Sequence, residues 1–318
     1  MHSGSDRRTP YGGLDLLRHL FILAVIFQHM LSPTRYSIEL NAFIATTSTY
    51  IDGAVAGFFL ISGFFSKKLA LTRWSEVTSL GIRFANRLLV PYLLFSVIYG
   101  VLLVSLGKMT LVDAIERTVT FAGVGPQLYF LPYLFLISVS VAVYEAITSR
   151  TSNFQFLALA GACAVIGTWS FLVPIKISTG PEPLLLPFYA AAYLLGVVTA
   201  RSRNPIFPGL LGISAAAVLV FAEPASRAFD SALVVLLFSA SLFASRMKLL
   251  QRRFPGSGGV YLLHAPIVNH ALSTVLVTLG IIGMANLFAA IIATYIITLL
   301  ATLMVIRFSP RLRGLLLE

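Results

Sequence analysis

The chain has 318 residues, of which 58% are hydrophobic and only 11% charged, with a mean hydropathy of +0.89. Soluble domains carry roughly 25% charged residues, so this composition excludes an ordinary soluble protein and defines an integral membrane protein. The formal net charge of +11 raises nucleic acid as a partner, but Lys and Arg of membrane proteins gather beside the lipid on the cytoplasmic side, and topology tests which applies.

The opening "MHSGSDRRTPYGG" precedes an apolar run in the manner of a signal peptide. Arg18 and His29 inside that run, with no A-x-A-like site after it, favour a retained first helix. Hydropathy and breaker residues predict ten spans, at 14–31, 51–66, 84–106, 127–147, 154–173, 184–200, 207–222, 229–245, 258–280 and 285–306. With the N-terminus in the cytoplasm, 17 of the 23 Lys and Arg fall inside. Only Arg35, Lys108, Arg117, Lys176 and Arg227 fall outside, with Arg18 set apart. The charge excess is therefore mostly an orientation signal, and no nucleic-acid partner is expected.

The expected architecture is all-α, one polytopic membrane domain over residues 1–318 with about ten transmembrane helices and both termini cytoplasmic. Residues 1–13 form a cytoplasmic N-terminal segment and 307–318 an interfacial cytoplasmic tail. The expected location is the cell (inner) membrane. Cys163 is the single cysteine, so no intrachain disulfide is possible.

In the first span, "LRHLFILAVIFQHM", Arg18 and His29 are eleven residues apart, close to three helical turns, so both point the same way. The rise between them is roughly 16 Å, placing Arg18 near the cytoplasmic boundary and His29 towards the outer side. An Arg inside a span costs about 2.5 kcal/mol or more unless it snorkels or finds a partner. Snorkelling with Asp15 as partner and a functional cation both fit Arg18 at this point, as a core imidazole and a reactive one both fit His29. His19, one position off this face, reads as interfacial.

The segment "LDLLRHLFILAVIFQHM" resembles the first helix of the acyltransferase 3 family of membrane acyltransferases, with its Arg, ten residues and His. "FFLISGFF", "RFANRLLVPYLLFSVIY", "LYFLPYL", "YLLGVV" and "GGVYLLHAPIV" resemble further family motifs in family order, over residues 14 to 268. Ala56 and Gly57 depart from the pattern, as does Gln127 where a His often stands. The resemblance implies transfer of an acyl group, usually acetyl from cytoplasmic acetyl-CoA, to a hydroxyl of an extracytoplasmic or lipid-linked glycan such as an exopolysaccharide.

Counted from the inner ends of their spans, Arg18, Ser62, Arg87, Tyr261 and His264 fall within roughly 10 Å of the inner face and form one expected layer. Arg83 and Arg87, four apart, suit the phosphates of coenzyme A, or serve as an ordinary positive-inside anchor. The expected acyl-CoA contacts are thus Arg18, Arg83, Arg87, Ser62 and His264. His29 is the expected general base, with a covalent acyl-histidine relay as the variant, and Gln127 and Tyr129 lie on the acceptor or oxyanion side. His264 and His270, six apart, face different ways and are not a zinc pair. No H-E-x-x-H or CxxC is present, so no metal is assigned. His270, Glu145, Asp52 and Asp230 carry no assigned chemistry. The alternative, a secondary transporter or a flippase for lipid-linked glycans, calls for likeness between two halves, and Arg18 and His29 have no counterpart in the second.

Overall fold

The computed structural model describes residues 11–32, 35–66, 74–148, 152–172, 185–202, 204, 206–223 and 226–316. The N-terminal residues 1–10 lie outside these, as do Lys67, Lys68, Arg73, Arg150, Lys176 and Arg203 among the basic residues sorted by topology. All regular structure among the described residues is helical.

A helix stands over each predicted segment: α1 Gly12–Gln28, α3 Ala54–Phe65, α5 Val90–Ser105, α7 Phe130–Thr148, α8 Asn153–Leu172, α9 Leu185–Arg201, α10 Ile206–Phe221, α11 Arg227–Ala244, the pair α12 Ser257–Leu263 and α13 Asn269–Thr278, and α14 Gly283–Phe308. Among the described residues four stretches are long and apolar enough to cross a membrane, Ile38–Phe65, Glu76–Ser105, Phe130–Thr148 and Gly283–Phe308. The other apolar helices are shorter.

Three helices were not among the predicted spans. Ser37 caps α2, Ile38–Ile51, by accepting from Leu40 N, and α2 bends into α3 at Asp52 and Gly53. Its central "NAFIATTSTY" is too polar to register as a span. α4, Trp74–Phe84, leads into a π turn at Ala85–Leu89 and then α5. Pro91 cannot donate to the carbonyl of Arg87, and the π turn re-routes Val90 N to Ala85 O. The loop helix α6, Leu111–Val119, is fixed by a capping box between Thr110 and Asp113.

Close backbone approach organises the interior. α3 and α9 run antiparallel, and a side chain on Gly63 would overlap the Tyr193 carbonyl, as one on Gly196 would overlap that of Leu60. The first turn of α1 is seated in the same way. Gly12 lies against the Leu250 and Arg252 carbonyls, while Gly13 N donates to Ser245 Oγ at 3.1 Å.

α1 runs parallel to α12. The loop before α12 enters the bundle, with Phe254 N donating to Asp15 Oδ2 (3.3 Å) and Phe254 O bonded to His19 Nε2 (3.3 Å). His19 therefore faces protein rather than lipid or water. It is buried, and its Nδ1 pairs with Tyr295 Oη of α14 at 3.0 Å. The tail also folds back: Pro310–Leu316 forms a 3₁₀ segment whose Leu316 is buried in the core.

Gly63→Val or Gly196→Val should push α3 and α9 apart and cost about 1–3 kcal/mol, the usual penalty of overpacking. Thermal unfolding in detergent should show a lowered midpoint for both. Gly81→Val, where a side chain meets open space, is the control.

Candidate active site

A cavity of about 610 Å³, within the roughly 300–1,000 Å³ of small-molecule sites, opens at the Arg18 end of α1. Arg18, Arg83 and Arg87 give it three guanidinium groups, and Ser62, Ser66, Ser138 and Ser257 line it with hydroxyls. Arg18 is oriented by Asp15 (3.2 Å) and lies 4.8 Å from the centroid of Phe65, so the snorkelling partner and the cavity cation are one residue in one pose. Arg83 closes α4 and Arg87 sits in the π turn that Pro91 imposes.

Phe58, Phe130 and Tyr261 line the cavity on its inner side. Their rings meet edge to face, with centroids 5.3–5.8 Å apart. Behind Tyr261 stands His264, 5.9 Å away centroid to centroid, and His264 stacks on His29 at 5.5 Å with an interplanar angle of 25°. Neither imidazole is among the described residues that line the cavity. The layer expected from span depth thus divides. Arg18, Ser62, Arg83, Arg87 and Tyr261 share the cavity, whereas His264 joins His29. The physical reason is the entering loop. Phe254 lies level with Asp15 and His19, so ten further residues bring His264 level with His29.

Pro266 breaks the helix at this point. It forces Ala265 into extended geometry (φ −126°, ψ 157°) and withholds the amide that Leu262 O would accept. The next turn is re-routed as well, because Asn269 N donates to His264 O and leaves the Ala265 carbonyl free. Gln127 and Tyr99 restore both losses. Tyr99 Oη and Gln127 Nε2 donate to Leu262 O, and Gln127 Nε2 donates also to Ala265 O. In return Tyr261 Oη donates to Gln127 O at 2.7 Å. His264 Nδ1 bonds Val260 O at 3.2 Å. A carbonyl only accepts, so Nδ1 carries the proton, and Nε2 is left as a buried acceptor with no partner among the described residues.

Gln127 is thus a brace of the broken helix, a role that sequence spacing could not reveal. Tyr129 packs with Tyr133, and its hydroxyl meets that of Tyr189 at 3.3 Å. Glu145, without assigned chemistry from sequence, lines the cavity and forms a buried ion pair with Arg201, whose guanidinium covers the Phe156 ring at 4.2 Å. The readable signal was one charge of each sign at the same end of two predicted spans. No group of three or more His, Cys, Asp or Glu capable of holding a metal occurs among the described residues.

These features define a helical membrane protein with an internal small-molecule site. A family model for the Acyl_transf_3 acyltransferase domain matches residues 11–307, nearly the whole chain, and the chain belongs to that family. It is a membrane acyltransferase. Neither the curated proteins nor the solved structures yielded a match.

Gln127→Leu strips the donor from Ala265 O and should cost about 1–3 kcal/mol, the penalty of a buried unsatisfied group. Tyr99→Phe leaves Gln127 on Leu262 O and should cost less. Unfolding midpoints in lipid nanodiscs should rank wild type above Tyr99→Phe above Gln127→Leu.

Proposed function

We propose that the protein is an O-acyltransferase that takes an acetyl group from acetyl-CoA on the cytoplasmic side and delivers it to a hydroxyl of an extracytoplasmic or lipid-linked glycan, such as an exopolysaccharide. The reading takes ten spans with both termini cytoplasmic in the cell membrane, which turns the cavity mouth toward the cytoplasm. The observation that carries it is the cavity itself: three guanidinium groups at one end, an aromatic wall at the other, and two imidazoles immediately behind that wall.

Arg18, Arg83 and Arg87 suit the phosphates of coenzyme A through charge-assisted hydrogen bonds, and Ser62 suits the polar pantetheine arm. The arm passes the wall of Phe58, Phe130 and Tyr261 to bring its thioester to His29. There the acceptor hydroxyl oxygen attacks the thioester carbon while His29 takes the hydroxyl proton. The C–S bond then breaks, and the departing thiolate recovers that proton as free coenzyme A. His264 belongs to this end rather than to the phosphates, and its Nε2 is an acceptor to which the incoming hydroxyl can be aligned. Tyr129 is the remaining hydroxyl assigned to the acceptor side.

The test is thiol release from acetyl-CoA by purified protein in nanodiscs with a glycan acceptor. His29→Ala should lower kcat by about 10²–10⁴, the usual worth of a general base, with acetyl-CoA binding retained. Arg18→Ala should weaken acetyl-CoA binding about tenfold or more, as loss of a charge-assisted bond predicts. Full turnover in His29→Ala would overturn the base. Movement of glycan across the bilayer without thiol release would replace acyl transfer with transport.

A further inference from the structure

At the far end of α1, beyond His29, Arg35 meets the helix that carries His270. Its Nη1 donates to the His270 carbonyl at 3.4 Å. The residue before His270, Asn269, donates to the backbone carbonyl of His29 at 3.3 Å. Arg35 is thereby linked, through the adjacent residues His270 and Asn269, to the backbone of the base proposed above.

Arg35 is held rigidly. Its Nε donates to Ser32 Oγ at 3.0 Å, and its guanidinium lies 5.9 Å from the ring centroid of Tyr36. Tyr36 in turn is locked by a buried network, its hydroxyl donating to Asn286 Oδ1 (3.0 Å), which also accepts from Ser273 Oγ (2.7 Å). Arg35 has no carboxylate partner among the described residues. Two acids at this end are engaged elsewhere: Asp113 with Thr110, and Glu39 with Ser37 at the start of its own helix. Orientation does not account for Arg35 either, since under the topology proposed above this is the side where Lys and Arg are scarce.

We propose that Arg35 forms an anion-binding subsite of the acceptor site, and that the acceptor glycan carries a phosphate or carboxylate next to the hydroxyl acylated at His29. The inference rests on the acyltransfer reading for its function, while anion binding can be measured without turnover. Bound guanidinium groups favour such oxyanions, and two of the Arg35 nitrogens are already committed to fixing the plane that the third, Nη2, presents.

The test uses two probe pairs in phosphatidylcholine nanodiscs: octyl glucuronide against octyl glucoside, and farnesyl diphosphate against farnesol. In at least one pair the anionic member should bind about tenfold or more tightly than its neutral counterpart. Arg35→Gln should erase that difference, and Arg35→Lys, which keeps the charge, should retain most of it, separating lost charge from misfolding. Equal binding within both pairs, or a difference that survives Arg35→Gln, overturns the subsite. Adding phosphatidylglycerol to the nanodiscs distinguishes the source of the anion. If it displaces the probes as well as unlabelled probe does, Arg35 is a lipid-headgroup anchor and the proposal falls. Thiol release with the same glycosides is scored separately: its absence alongside Arg35-dependent binding removes the acyltransfer reading and keeps the subsite.

Discussion

A proline inside a buried helix leaves a carbonyl that water cannot reach, and a buried unpaired carbonyl is costly. Pro266 creates that problem at Leu262, and the π-type re-routing at Asn269 extends it to Ala265. The described structure around the site answers it. Gln127, from the turn before α7, and Tyr99, from α5, supply the missing donors. Two separate stretches of chain are thereby tied to one break in the α12–α13 helix. The break directly follows His264, which the entering loop before α12 brings against His29.

The two ends of the site are built by different physics. At the Arg18 end the helices leave space, with guanidinium groups fixed by Asp15, by the aromatic face of Phe65 and by the Pro91-driven π turn. At the His29 end the packing is close, and the buried polar atoms left without a partner there among the described residues include Nε2 of His264 and Oε1 of Gln127. Between the two lies an aromatic wall. Such a division suits a reaction whose charged donor and hydroxyl acceptor approach from opposite faces, because neither has to cross the hydrocarbon layer whole.

Much of this arrangement was legible in the residues. The eleven-residue offset from Arg18 to His29 predicts one inward helical face, and in the structure Arg18 lines the cavity while His29 stacks on His264. Arg83 and Arg87 both line the cavity, and the ordered motifs that resemble the family carried through, the family now resting on a match across residues 11–307. What could not be read depends on tertiary contacts with no local trace. The depth of His264 was misjudged because α12 starts inside the bundle, held there by Asp15 and His19 on Phe254. The role of Gln127 depends on carbonyls 135 and 138 residues away. α2 escaped notice because its Thr and Ser residues dilute the apolar signal that reveals a span.

The most direct measurement is a cryo-EM structure of the protein in nanodiscs with a non-hydrolysable acetyl-CoA analogue. The account predicts phosphate density beside Arg18, Arg83 and Arg87, and the pantetheine arm running between Phe58 and Tyr261 so that the acetyl carbon lies within reach of His29. A nucleotide bound at the Arg35 end, or an acetyl group held in the cavity on the near side of a closed aromatic wall with the His29–His264 stack unchanged, would contradict it.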